Sequence, residues 1–110
     1  MSKIILASSS IYRKELLERL IPKFKIISPN IDECLVEGED AKATSLRLAL
    51  LKAERVSLAN KDAFVVGSDQ TAQFSNTQIK KPSNYQDALD QLLLLSGKVV
   101  FFYSSVCVLQ

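Results

Sequence analysis

An apolar strand that runs through three consecutive serines straight into a helix constrains this chain more than any other feature. Ile4 to Ala7 is unbroken apolar sequence and Ser8-Ser9-Ser10 follows. A helix is then expected from a Ser10 cap to about Leu20, with Leu16, Leu17 and Leu20 as its apolar stripe. The joint has a chemical consequence as well as a structural one. Backbone N–H groups at a helix N-terminus are unpaired and partly positive, so they attract phosphate oxygens. Serine hydroxyls donate to the same oxygens, and Arg13 adds a planar fork suited to them.

The rest of the chain repeats the alternation. Ile21-Pro22 stops the first helix and Phe24 to Ile27 reads as a second strand, followed by a turn at Ser28-Pro29-Asn30 into the acidic Asp32-Glu33. Leu46, Ala49, Leu50, Ala53 and Val56 keep i, i+3, i+4, i+7 spacing, which predicts a helix over 41–59. Ala63 to Val66 reads as a short strand buried on both faces and ending at Gly67-Ser68-Asp69-Gln70. Thr71 to Ile79 reads as a polar hairpin around Ser75-Asn76. Ser83 and Gln86 have capping-box spacing, opening a helix that closes near Leu95 with Gly97 at the C′ position. Lys98 to Leu109 is β-rich. The order β-α-β-α-β-hairpin-α-β predicts an α/β layered domain.

Composition excludes several classes. With 110 residues, 47% hydrophobic and 24% charged, the chain suits one soluble globular domain. A net charge of +2 does not argue for nucleic-acid binding, and no apolar run approaches the ~20 residues that cross a bilayer. There is no histidine, which removes Ser-His-Asp and Cys-His catalysis and the usual zinc sites. The two cysteines, Cys34 and Cys107, lack metal-ligand spacing and read as plain small residues. Met1-Ser2-Lys3 leads straight into the first strand, which fits a cytoplasmic setting without a secretory leader.

Ligands in α/β sheets gather beyond the carboxyl ends of strands. Ser8 and Ser10 follow the first strand, Glu33 follows the second, and Asp69 follows the third, so their loops are expected to converge. Lys52 sits beside the apolar face of the long helix and Lys81 is held in a turn by Pro82. Taken singly, each lysine reads as snorkelling surface charge. Taken together, Glu33 and Asp69 suit a Mg²⁺ ion or a positioned water, while Arg13, Lys52 and Lys81 suit phosphate oxygens.

These segments, in order, resemble the Maf family of nucleoside triphosphate pyrophosphatases. The matching pieces are Leu6-Ala7-Ser8-Ser9-Ser10 with Arg13, Asp32-Glu33, Arg47-Leu48-Ala49 with Lys52-Ala53, Gly67-Ser68-Asp69-Gln70, Lys81-Pro82 and Leu95-Ser96-Gly97. The resemblance implies a mixed sheet flanked by helices, as in inosine triphosphatases. It also implies hydrolysis between the α and β phosphates with a divalent metal, Mg or Mn. On it, Asp69 is the general base, Glu33 and Asp69 serve the metal, and Ser8, Arg13, Lys52 and Lys81 hold the triphosphate. Tyr12 and Gln70 contact the base, and with Ser68-Asp69-Gln70 they resemble the branch acting on 7-methyl-GTP. The cationic methylated purine suits stacking on Tyr12.

Four departures stand out. Ile11 replaces a proline, Lys14 a second arginine, and Lys80 the glycine of Gly-Lys-Pro. Family members also continue well past Gln110, so the chain resembles the N-terminal half. The rival expectation is a catalytically impaired homologue that binds nucleotides or regulates division and septum formation through protein contacts. The apolar edge at Lys98–Leu109 suggests self-association as a homodimer.

Overall fold

The computed structural model describes residues 3–110. The reading of Met1 and Ser2 as a direct lead-in to the first strand lies outside them. The elements run β1 (Lys3–Ala7), α1 (Ile11–Glu18), β2 (Lys25–Ile27), α2 (Ala41–Ala59), β3 (Ala63–Phe74), β4 (Thr77–Ile79), α3 (Tyr85–Leu95) and β5 (Phe101–Leu109). This is the expected α/β alternation.

The strands form one five-stranded mixed sheet in which β2 pairs with β1, β1 and then β4 follow one another along one edge of β3, and β5 pairs along its other edge. β1 lies parallel to both β2 and β3, while β4 and β5 run antiparallel to β3. α2 covers one face. Its Ala49, Ala53 and Val56 pack on Ile5, Ala7, Ala63 and Val65 to make the core. Small residues let the helix approach closely: at Gly67 a Cβ would lie 2.4 Å from the Ala49 carbonyl oxygen. A buried hydroxyl pair, Ser45 with Ser105 at 2.7 Å, joins α2 to β5.

Several expectations needed correction. The third strand does not stop at Val66 but continues to Phe74, because β5 pairs with it from Val65 to Gln73 and satisfies the backbone of its polar half. It is also buried on one face only, with Ala63, Val65, Gly67 and Asp69 covered and the alternate residues half-buried or exposed. Helix α1 ends at Glu18, and its expected apolar stripe faces no described core, since Leu16 and Leu20 are exposed. The cap of α3 is Asn84, whose side chain accepts from Asp87 N–H at 2.8 Å, and Ser83 instead donates its N–H to Asp87 Oδ2. Asn84 is one residue nearer the first turn, so it takes the cap that Ser83 was expected to hold.

Other local signals are borne out. Ser10 caps α1, Ser75 turns the hairpin with φ 56°, and Gly97 takes φ 74° after α3. Ser75 is the only non-glycine residue with positive φ among the described residues, so Lys80 is tolerated where the family motif carries glycine. The outward face of β5 exposes Phe102, Val106 and Val108, and α3 exposes Leu92, Leu93 and Leu94. No helix of the described residues is long and apolar enough to cross a membrane.

Candidate functional site

The pairing pattern of β3 creates the site. On one side its neighbour β1 ends at the Ala7–Gly67 pair, and β4 begins only at Ala72–Ile79. Residues 68–71 therefore face a gap in the sheet on that side while β5 holds them from the other. Backbone at such a gap is available to side chains and ligands. Lys52 uses it, its Nζ lying 3.4 Å from the Ser68 carbonyl oxygen.

The same Nζ lies 2.9 Å from Asp69 Oδ1 and 3.2 Å from Glu33 Oε1. Its hydrogen bonds go to Asp69 Oδ1 and the Ser68 carbonyl, and Glu33 adds an ion pair. Lys52 and Asp69 have side chains only 7% exposed, whereas Glu33 is 57% exposed. The cluster thus has a dry side and a wet side. Asp69 Oδ2 belongs to the dry side and has no hydrogen-bond partner. An unpaired buried oxygen costs about 1–3 kcal/mol, which a water or a cation at that oxygen would recover.

The sequence-based candidates divide. Glu33, Lys52 and Asp69 come together as expected, although Asp69 lies within a strand and not after one. Ser8 follows β1 beside this gap, but it is buried and its Oγ accepts from Ser10 N–H at 3.0 Å. Its N–H goes to the Ile27 carbonyl at 3.1 Å. Arg13 is half-buried on α1, Tyr12 is exposed there, and Lys81 is exposed between β4 and α3. None of these three makes a side-chain hydrogen bond or ion pair to the cluster among the described residues. Strand alternation puts Gln70 on the face opposite Asp69, where it is exposed. An open groove of about 470 Å³ lies elsewhere, lined by Leu35, Glu39, Gln73, Gln78 and Lys80, and none of Ser8, Lys52 and Asp69 lines it.

For a divalent metal, the donor set is two carboxylates, Glu33 and Asp69. No group of three or more His, Cys, Asp or Glu residues able to hold a metal occurs among the described residues. Two carboxylates completed by waters and phosphate oxygens suit Mg²⁺, and the unpaired Oδ2 gives that fit a structural basis. The cysteines take no part. Both are free; hydrogen bonding to Asp32 pushes the Cys34 thiol up, and burial does the same for Cys107.

Sequence reasoning missed the network beside the cluster. Arg47 Nε donates to both carboxylate oxygens of Glu39 at 3.0 and 2.9 Å, and Thr44 Oγ1 donates to Glu39 Oε1 at 2.7 Å. The Arg47 guanidinium first, and the Thr44 hydroxyl second, hold the Glu39 carboxyl below the usual range. Glu39 therefore contributes stability at neutral pH that is lost as pH falls from about 4.5. The difference in melting temperature between the wild type and Glu39→Gln should shrink on titration from about pH 7 to about pH 3. A constant difference would remove the ion pair from the stability of this region.

An acid–lysine–acid cluster held where β3 runs on past its parallel neighbour β1, beside a serine loop opening a helix, belongs to an α/β protein whose polar side chains gather at one rim of the sheet. The comparisons agree and narrow it: the chain belongs to the Maf family, whose Maf-like protein profile matches residues 3–110. It is similar to a 7-methyl-GTP pyrophosphatase of Ralstonia nicotianae, 49% identical over 94% of this chain and 54% of that protein. Proteins of the same name from Cupriavidus metallidurans and Burkholderia thailandensis are 46% and 49% identical, each over 96% of this chain. They are covered over 53% and 50% of their own lengths. The chain spans about half the length of the curated relatives it matches.

Proposed function

We propose that this chain carries the acid–base half of a nucleoside triphosphate pyrophosphatase acting on 7-methyl-GTP or a related modified nucleotide. The observation that carries the reading is the unpaired, buried Asp69 Oδ2 beside a lysine that hydrogen-bonds the other oxygen and forms an ion pair with Glu33. Lys52 holds the Oδ1 side of that carboxylate, so Oδ2 is the oxygen left to take a proton from water. The water oxygen bonds to phosphorus, the bridging P–O bond breaks with its electron pair leaving on pyrophosphate, and the monophosphate is the other product. Lys52 can take up a phosphate oxygen by releasing Glu33, its exposed partner. A Mg²⁺ or Mn²⁺ ion held by Glu33 and Asp69 would supply further charge neutralisation to the phosphates. Arg13, Lys81 and the serine loop complete the anion site when substrate draws them in, with Tyr12 reading the base.

The test is a pyrophosphate assay with Mg²⁺ or Mn²⁺ on the full-length protein carrying this sequence. 7-methyl-GTP is expected to release pyrophosphate faster than GTP, dTTP or UTP. Orthophosphate as the released product, or no pyrophosphate from any of the four, would overturn the reading. A second reading, nucleotide binding without turnover, is favoured by the separation of Arg13 and Lys81 from the cluster. It expects a raised melting temperature with nucleotide and no pyrophosphate.

A further inference from the structure

Glu33 lies in a stretch without helix or strand, yet its carboxylate reaches Lys52. The loop's own contribution is one turn, in which Asp32 Oδ1 accepts from Cys34 N–H at 3.0 Å. The remaining anchors come from α2, on either side of Glu33 along the chain. Arg47 Nη2 donates to the Cys34 carbonyl at 3.2 Å, one residue after Glu33. Arg55 Nη1 donates to the Asn30 carbonyl at 2.7 Å, three residues before it.

Arg47 is itself immobilised. Glu39 accepts from its Nε through both oxygens, Thr44 donates to Glu39, and Gln78 Nε2 on β4 donates to Thr44 Oγ1 at 2.7 Å and to the Glu39 carbonyl at 2.9 Å. A continuous polar chain therefore runs from the β3–β4 hairpin through Arg47 to the residue after Glu33. A planar guanidinium spreads its donors over three nitrogens, so Nε can hold the Glu39 carboxylate while Nη2 reaches the Cys34 carbonyl, a span that a single ammonium nitrogen lacks.

We propose that Arg47 and Arg55 are positioning residues that bracket the 30–34 loop so that the Glu33 carboxylate stays on the Lys52–Asp69 pair. The proposal rests on the pyrophosphatase reading for its catalytic consequence but not for its structural one. A flexible, exposed acid spends most of its time away from a single partner unless the backbone on both sides is tied. With both ties, Glu33 is presented at the moment substrate or metal arrives, which is preorganisation of the site.

Two measurements on the full-length protein test it. In hydrogen exchange, Arg47→Ala and Arg55→Ala should each speed exchange in peptides covering 30–36 by roughly tenfold, the loss of one charge-assisted hydrogen bond. Peptides from α2 and β3 should keep their protection. Unchanged loop exchange, or a uniform rise across the molecule, would overturn the bracket. In kinetics, Arg47→Ala should lower kcat roughly tenfold with KM within about threefold, and Arg47→Lys should recover only part of it. In a Glu33→Gln background the same substitution should cost almost nothing further, because its target is already gone. A full additional loss there would mean that Arg47 acts elsewhere. If the wild type releases no pyrophosphate, the pyrophosphatase reading fails while the exchange measurement still decides the bracket.

Discussion

Asp69→Asn is expected to lower the rate of pyrophosphate release about 10²-fold or more while leaving the fold intact. The amide matches the carboxylate in shape and can still offer an oxygen to Lys52, now 2.9 Å from Oδ1. It cannot take a proton from water, so the buried Oδ2 position loses its chemical use. Removing one partner of a buried ion pair ordinarily costs about 3–5 kcal/mol, because the other charge is stranded. Here the cost should fall short of that range, since Glu33 remains 3.2 Å from the same ammonium. Rate and melting temperature measured on one preparation separate the two effects. Turnover equal to the wild type would remove Asp69 from the chemistry, and a collapse in stability would make it a structural residue first.

Gly67→Ala should be the most damaging single methyl group in the chain. The added Cβ would stand 2.4 Å from the Ala49 carbonyl oxygen, 2.8 Å from the Ala53 nitrogen and 2.9 Å from the Ala53 Cβ. Two of these neighbours are backbone atoms in the middle of a 19-residue helix, so no side-chain rotation relieves the contact. α2 must move away from β3 as a body, opening the core at Ala53, Val56 and Val65. Overpacking of this kind costs about 3 kcal/mol or more, a large share of the roughly 5–15 kcal/mol that holds a domain together. A fall in melting temperature of at least about 10 °C is expected, with pyrophosphate release reduced too, because the same movement lifts Lys52 from Asp69. A variant that melts within about 2 °C of the wild type would show that the helix and strand are not seated as closely as described.

Helix α2 was legible because its apolar spacing is local, but of the expected stripe only Ala49, Ala53 and Val56 are buried; Leu46 and Leu50 are exposed, and Leu48 is buried in their place. The serine loop and the Ser75 turn were legible for the same reason. The amphipathic reading of α1 went astray because Leu16 and Leu20 satisfy the helical period without any described surface to cover them. The end of β3 was misplaced because a polar strand gains its partners from elsewhere, and β5 lies far along the chain. Of the site, the residue types in Glu33, Lys52 and Asp69 were readable as acids and a cation suited to phosphate. Arg47 drew notice only as part of a family motif, since its contacts to Glu39 and Cys34 depend on how a loop crosses the helix.

Residue order alone therefore determined the alternation of strands and helices, the helix caps at Ser10 and Gly97, and the supply of phosphate-compatible side chains. These follow from dihedral preference, periodicity and charge, which act over a few residues. Only the tertiary structure decided that Asp69 sits inside a strand, that one of its oxygens is buried without a partner, and that Lys52 is shared between Asp69 and Glu33. Burial and pairing are set by neighbours distant in sequence, and a carboxylate acquires its role from what surrounds it.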